Sequence, residues 1–424
     1  MTHLNSSSRL LVIGAGSEVY RSWGLEQIAA FHPVTLVDRD APAWARRHVG
    51  DVVSVDLRNY GLTLAAVTSY AREHRIAGVV TYAEQYTTLT ASLARDLGLP
   101  GTLPSAVAAA RDKGTTRRLL AQHGVPSARS LPAGSTEDAV EAARLLGYPV
   151  VVKPRGLGGS AGVRRADSDA QVRTAYDAAT RATLMDLQDF GEPGVLVEEY
   201  LDGPEISVET VVTAPGEVRI VAVTRKFLGP EPGFQEIGHI VDVNDPLLGD
   251  TRVAEVTEGA VAALGITRGT LHIEMRQTVS GPRVIEVNAR FGGDLIPLLV
   301  QLATGVNLPQ AAAALAMGIT PDLQVTAHGA AGIHCLYPAA AGRVDELHVG
   351  DIARRPWLKR FAWTQRPGAQ VAALTSAGTG IGDRLALWVA VGATAGRVEE
   401  RLRMVADDTS VRITAFAHSG SCTR

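Results

Sequence analysis

Cysteine is almost absent: Cys335 and Cys422 are the only two in 424 residues, and no Cys-x-x-Cys occurs. That excludes a disulfide scaffold and a thiolate zinc site, and it fits a reducing cytoplasm. Neither charge sign is in excess. Lysine plus arginine number 41 and aspartate plus glutamate 44, a formal net charge of −3. Without a global basic field, non-specific nucleic-acid binding is not expected. No apolar run approaches the ~18 residues a membrane helix needs. Leu10–Ile13, the first apolar stretch, is too short for a signal-peptide core. Internal repeats and low-complexity tracts are missing as well. What remains is ordinary globular usage, 46% hydrophobic and 20% charged, so wholesale disorder is out. At roughly 100–200 residues per domain the length suggests two to four domains. The expectation is a cytoplasmic globular protein with no nucleic-acid or membrane partner.

Short apolar runs separated by helical stretches fill the first hundred residues: Leu10–Ile13, Val34–Val37 closing on Asp38, and Ile76–Thr81 ahead of a helix near 85–97. This pattern reads as βαβ units around a parallel sheet. A helix over 113–123 stops at Gly124, with Pro126 just beyond. A second region holds a helix over 136–146, a strand over 149–153, a glycine-rich loop and a strand over 194–199. Alternation over 205–225 predicts antiparallel strands, and 253–264 predicts a helix. Two strands, 270–277 and 283–288, are joined by Val279-Ser280-Gly281-Pro282. The last hundred residues read as a separate α+β piece, clearest in a strand over 386–391 and a helix over 395–405. The expected division is 1–105, 106–190, 191–320 and 321–424.

Several motifs carry chemistry. Gly14-Ala15-Gly16 lies between a strand and a helix, and Asp38 ends the next strand, which imitates a dinucleotide-binding fingerprint. The third glycine of that pattern is missing, with Val19 in its place, so a tight turn of a doubly wound domain competes with it. In Lys153-Pro154-Arg155-Gly156-Leu157-Gly158-Gly159-Ser160-Ala161-Gly162, a lysine ends an apolar strand and a glycine-rich loop follows. Backbone N–H groups of such a loop can approach phosphate oxygens without Cβ obstruction. It is not a Walker A loop, because the lysine precedes the glycines. A flexible hairpin connection is the bland alternative. Glu198-Glu199-Tyr200-Leu201, followed by Asp202-Gly203-Pro204-Glu205, ends an apolar strand in acids. That suits a heterocycle edge and ribose hydroxyls, and equally a plain polar turn.

The hairpin around Ser280 is the most informative. Glu274 and Glu286 are each six residues from Ser280 and therefore nearly opposite. Opposed carboxylates repel. Asn288 shares the face of Glu286, and oxygens of this set suit a hard divalent cation shared with phosphates. A solvated sheet face is the alternative, yet Val284, Ile285 and Val287 make the strand otherwise apolar. His272 and Glu274 would suit a zinc deaminase, but no Pro-Cys-x-x-Cys is present.

These elements, in this order, resemble the ATP-grasp superfamily, and within it the carboxylate–amine ligases related to bacterial L-amino acid (dipeptide) ligases. The resemblance implies an α/β and α+β architecture. An N-terminal doubly wound parallel-sheet domain precedes an ATP-grasp fold of two α+β subdomains and a C-terminal α+β portion. It implies that Lys113, within Arg111-Asp112-Lys113, and Lys153 bind the nucleotide, under a small lid that includes Gly158, Gly159 and Ser160. Glu198, Glu199, Tyr200 and Leu201 resemble the adenine hinge and Glu205 the ribose-binding acid. Glu274, Glu286 and Asn288 resemble ligands for Mg2+ or Mn2+, and Arg290 the arginine that steadies an acyl phosphate. Arg290, Lys153 and Glu286 form the implied catalytic set. Thr224–His239 resembles the acceptor-side segment, which makes Glu236 a candidate base.

The implied activity is ATP-dependent joining of a small, amino-acid-like carboxylate to an amine through an acyl phosphate, releasing ADP and phosphate. A homodimer is compatible with this reading. A full carbamoyl-phosphate synthetase is excluded, because the chain has one grasp unit and no amidotransferase signature. Two alternatives stay open. One is an ATP-grasp carboxylase-type enzyme that forms carboxyphosphate. The other, from a different class, is an NAD-dependent oxidoreductase using the Gly14 loop.

Overall fold

The computed structural model describes residues 8–185, 194–376 and 379–416. Cys422 and the expected boundary between 190 and 191 lie outside the described residues. Leu10, Leu11, Val12 and Ile13 are all fully buried, as a strand covered on both faces must be. Their strand, Ser8–Ile13, pairs in parallel with Val34–Asp38 and Arg75–Val80, and Asp51–Ser54 completes a four-stranded sheet. Helix Glu18–Phe31 follows the first strand, as in a doubly wound domain.

A second four-stranded sheet is antiparallel, in the order Ser130–Ala133, Val195–Glu199, Val150–Pro154, Arg164–Ala166. Helices Thr136–Leu146 and Asp169–Met185 cover it. The first of these is capped by the Ser135 hydroxyl, which accepts from the Asp138 N–H at 3.1 Å. Two further helices precede this sheet, Pro104–Arg111 and Lys113–Gln122, where only the second is legible from the sequence. Asp112 separates them and caps the second through the Gly114 N–H.

The largest sheet has eight strands. Gly281–Asn288, Gly269–Thr278, Glu205–Ala214, Glu217–Leu228 and Glu236–Asp242 come first, and Ala330–Leu336, Ala386–Gly392 and Leu358–Trp363 continue it. The last hundred residues are α+β as expected, but they are not a separate piece, because three of their strands extend the sheet of the preceding region. The joint is the antiparallel pair Gly238↔His334 to Asp242↔Ala330. Partners so distant in sequence leave no local pattern to read. Gly332 makes the joint close: a Cβ there would come 2.8 Å from Cγ1 of Ile240, its partner across the strands.

Helices Ile296–Thr304 and Leu308–Ala316 lie between the N-terminal sheet and the large sheet, and the main core forms around them. Among the described residues no single helix is long and apolar enough to cross a membrane; these two form one bent pair at 105° and are almost wholly buried. Gly78, on the N-terminal sheet, faces the end of the second helix. A Cβ at Gly78 would stand 2.5 Å from the Ala316 carbonyl oxygen, a backbone atom that cannot rotate away. Gly78→Ala is therefore expected to destabilise the protein by about 1–3 kcal/mol through overpacking. A urea titration checks this, and an unchanged midpoint would contradict the close docking.

Candidate active site

The hairpin Gly269–Thr278/Gly281–Asn288 turns its apolar side chains, among them Ile273, Met275, Val284 and Val287, toward helix Thr251–Leu264. Its polar side chains are left on the opposite face. There Glu274 and Glu286 are direct partners across the strands, and His272 faces Asn288. The ladder shifts by a bulge just after Glu274. Each acid is met by cations. Glu274 lies 3.0 Å from Lys226 Nζ and 3.1 Å from His272 Nε2, and Glu286 lies 3.0 Å from Lys113 Nζ.

Lys226 was no more than part of a weakly matching segment in the sequence, yet it is central here. Its ammonium sits among Glu205 at 2.9 Å, Glu236 at 2.6 Å and Glu274 at 3.0 Å, with its side chain fully enclosed. Burial alone would lower its pKa, but the three carboxylates, Glu236 foremost, raise it well above the ordinary lysine value. In return, Lys226 overcomes the effect of burial on Glu236 and Glu274 and holds both below the usual carboxylate range. Glu236 is thus kept ionised, and its depressed pKa makes it a poor proton acceptor, against the reading of Glu236 as a base. His272 is buried between Glu209 and Glu274. Burial opposes its charge, but the Glu209 carboxylate, 3.0 Å away, wins and raises the imidazole pKa to about 10. Glu209 is itself fixed by the Ser207 hydroxyl at 2.7 Å and the Thr224 hydroxyl at 3.1 Å.

A second buried charge group lies nearby. Lys153 Nζ is 2.6 Å from Glu198, and Arg117 Nε is 2.9 Å from the same carboxylate. Arg117 also donates to the Ile285 carbonyl, which ties helix Lys113–Gln122 to the hairpin. Burial lowers the Lys153 pKa, and Glu198 offsets only part of the shift. Glu198 stays below the usual carboxylate range, because Arg117 and Lys153 outweigh the effect of burial. The glycine-rich loop bends through positive φ at Gly159, Ser160 and Gly162. It is anchored where Lys113 Nζ donates to the Leu157 carbonyl at 2.6 Å and the Ser160 hydroxyl donates to the Phe234 carbonyl at 2.9 Å.

Two adjoining clefts result. A cleft of about 770 Å3 is lined by Lys113, Lys153, Gly159, Ser160, Glu198, Glu199, Tyr200, Leu201, Glu205, Glu274 and Glu286. A larger one of about 1370 Å3 lies toward the N-terminal domain and is lined by Gly158, Asn288 and Arg290, sharing Gly159, Glu274 and Glu286 with the first. Every site residue expected from the sequence therefore borders one or the other. Their contacts are less uniform than their placement. Glu198 is 3% exposed and holds two cations. The Glu199 carboxylate pairs outward with Arg129 and Arg283. The N–H groups of Glu199 and Tyr200 bond to the Arg129 and Pro149 carbonyls. Glu205 meets both Lys226 and Arg276. Arg290 pairs with Glu84 of the N-terminal domain at 2.7 Å.

Arg117, Glu209, Lys226 and Glu84 escaped the sequence reading, and some of them had left a trace. Lys113, Thr116, Arg117 and Leu120 share the buried face of one helix. Ser207 with Glu209, and Thr224 with Lys226, occupy alternate buried positions of neighbouring strands. Charged residues at inward positions were the signal. At the Gly14 loop, both Asp38 oxygens accept backbone N–H groups, from Ala15 at 2.8 Å and Arg39 at 2.7 Å. A Cβ at Gly14 would come 2.5 Å from the Tyr86 ring, so packing accounts for that glycine.

Residues 146–297 match the ATP-grasp domain family, and residues 29–101 match the ATP-grasp N-terminal domain family. The phosphoribosylamine–glycine ligase of Streptomyces coelicolor is 31% identical over 302 residues, 67% of this chain and 67% of that protein. Human carnosine synthase 1 is 28% identical over 351 residues, 76% of this chain but 41% of its own length. The crystal structure of an L-amino acid ligase from Bacillus licheniformis superposes with a TM-score of 0.80 over 96% of this chain and 99% of that one, at 23% identity. An ATP-grasp fold, with its charged clefts between the sheets, is the class these features define. The chain belongs to the ATP-grasp superfamily.

Lys226→Met would leave Glu205, Glu236 and Glu274 without their shared cation. The expected loss of stability at pH 7 is about 3–5 kcal/mol, the usual effect of breaking a buried ion pair. Carboxylates with depressed folded-state pKa values stabilise the wild type above their unfolded values and lose that contribution as pH falls through the folded ones. For Glu236 the window runs from 4.5 down to about 2. The stability gap between wild type and variant should therefore narrow as pH drops below 4.5. Urea melts at several pH values test this, and a pH-independent gap would contradict the charge assignment.

Proposed function

We propose that this protein is an ATP-dependent ligase that joins a carboxylate to an amine through an acyl phosphate. The observation that carries the reading is the opposed pair Glu274 and Glu286 at the junction of the two clefts. ATP takes the smaller cleft. Lys113 and Lys153 face its phosphates, the 156–162 loop covers them, and the Glu198–Leu201 segment with Glu205 takes the adenosine. The segments 1–105, 106–190 and 191–320 are proposed as the working domains, with 321–424 continuing the sheet of the third, and the carboxylate and amine, amino-acid-like, meet in the larger cleft.

The donor set fits a divalent cation. Two carboxylates and the buried Asn288 amide are hard oxygen donors, and the like charges opposed across the hairpin require positive charge between them. Glu274, Glu286 and Asn288 would hold Mg2+, or Mn2+ in its place, which supplies charge neutralisation to the transferring phosphoryl group. The substrate carboxylate oxygen attacks the γ-phosphorus, the bond to the β-phosphate oxygen breaks, and ADP leaves. Lys153 and Arg290 stabilise the charge that develops on the phosphoryl oxygens and the acyl oxygen. The amine nitrogen then attacks the acyl carbon, phosphate departs with the former carboxylate oxygen, and the amine proton is lost. The 156–162 loop excludes water, to which an acyl phosphate is vulnerable.

Glu286→Gln removes charge but little volume. It should leave a folded protein whose ADP release with amino-acid pairs falls at least about 10²-fold. Lys153→Ala should raise KM for ATP and lower kcat together, since the contact exists in ground and transition states. A phosphate-release screen over amino-acid pairs, with mass spectrometry of the products, is the test. Near-normal turnover of Glu286→Gln would overturn the metal assignment. ADP release that depends on bicarbonate and not on an amine would favour carboxyphosphate formation instead.

A further inference from the structure

We infer that the larger cleft contains a second anion subsite, built from Arg21, Arg111 and the Gly16–Ser17 turn, that holds a substrate carboxylate other than the one activated. The inference rests on the ligase reading for the identity of its ligand, though not for the existence of the site.

Five carboxylates line the larger cleft. Each lining carboxylate already has a cation: Glu84 has Arg290, Glu236 and Glu274 share Lys226, Glu286 has Lys113, and Asp294 has Arg384 at 2.6 Å. Arg21 and Arg111 also line it, and among the described residues neither makes an ion pair. Arg111 is 8% exposed, so this is a charge removed from water. One of its terminal nitrogens donates to the Gln85 carbonyl at 3.1 Å, and its Nε has no acceptor among the described residues. A buried guanidinium with a free donor is costly unless something meets it.

Arg21 stands over the Tyr82 ring at 5.5 Å. Burial, and then the neighbouring Arg290, push its pKa down to about 10, against the smaller opposing pull of Tyr82, Asp294 and Glu84. The Gly14–Gly16 motif, which the nucleotide chemistry does not use, explains how Arg21 reaches this place. Gly16 has φ +72, and a Cβ on it would come 3.0 Å from Arg21 Cγ. The glycine lets the chain turn tightly against the arginine stem.

Helix Glu18–Phe31 begins at the same point. Its N-cap, Ser17, makes no side-chain capping bond, and Gly16 and Ser17 border the cleft. Glu18 does not fill the gap, because its carboxylate pairs with Arg47 at 3.1 Å. First-turn N–H groups and the positive end of a 14-residue helix thus lie beside two guanidiniums that make no ion pair among the described residues.

Ligation consumes one carboxylate. A second one remains if the acceptor is itself an amino acid, or if the donor is a dicarboxylic acid. Both sources offer the same chemistry, and the experiment separates them. ADP release by the full chain with MgATP is measured in two matched series. The acceptor arm compares L-amino acids with their carboxamides, and the donor arm compares L-aspartate and L-glutamate with L-asparagine and L-glutamine. In one arm the free carboxylate should have a KM lower by about tenfold or more, the scale of a charge-assisted hydrogen bond. That arm identifies the source. Arg21→Met should abolish the preference, and Arg21→Lys should retain part of it. A preference intact in Arg21→Met, or absent from both arms in the wild type, overturns the subsite.

Calorimetric titration without nucleotide supplies a readout independent of the ligase reading, with succinate and neutral succinamide as probes. Succinate should bind more tightly than succinamide to the wild type, and Arg21→Met should lose the difference. Equal binding of the two probes by the wild type, or a difference kept in Arg21→Met, overturns the subsite. If no substrate pair releases ADP while succinate still discriminates, the ligase reading falls and the subsite stands.

Discussion

Glu274 and Glu286 stand opposite each other on adjacent strands, and the charge they concentrate must be neutralised. Much of the surrounding structure follows from this constraint. Lys226, His272 and Lys113 carry that burden. Lys226 extends the arrangement to Glu205 and Glu236, and His272 extends it to Glu209, deep in the sheet. Lys113 carries it to the glycine-rich loop through the Leu157 carbonyl. The acids on the hairpin are therefore coupled to the loop, to the strands beneath and to the segment of the sheet that borders the larger cleft. In the proposed reading a cation arriving with ATP would compete for the same oxygens, which would link nucleotide binding to loop position through one set of charges.

A second, separate pair of cations meets at Glu198. Arg117 and Lys153 come from different elements, a helix and a strand, and the carboxylate between them holds both in place. Because burial lowers the Lys153 pKa and Glu198 only partly offsets this, the lysine is a cation that benefits from additional negative charge. In the proposed reaction a phosphate of ATP would supply it, by the same logic that governs the hairpin acids with the signs reversed. The larger cleft repeats the theme on the N-terminal side, where among the described residues neither Arg21 nor Arg111 makes an ion pair.

The sequence made the hairpin readable because six-residue arms about Ser280 placed both acids opposite each other, and the strands were otherwise apolar. The parallel N-terminal sheet was equally legible, since its strands are continuous apolar runs. The joining of the C-terminal strands to the large sheet was not, because Glu236–Asp242 pairs with Ala330–Leu336 far along the chain and nothing local marks the match. Lys226 and Arg117 were missed for a related reason. A charged residue on an inward position looks like an ordinary surface charge until its partners, distant in sequence, are known. Glu198 was legible as part of a strand end but not as a counter-ion, because that role needs Arg117 from another element.

In the proposed reaction the carboxylate is activated by phosphoryl transfer before the amine attacks. Following oxygen tests this order of events. A carboxylate substrate labelled with oxygen-18 is incubated with MgATP and the amine, and the released phosphate is analysed by mass spectrometry. An acyl phosphate passes one carboxylate oxygen to phosphate for each amide formed, so labelled phosphate should appear in step with product. Amide formed while the phosphate stays unlabelled would exclude an acyl phosphate.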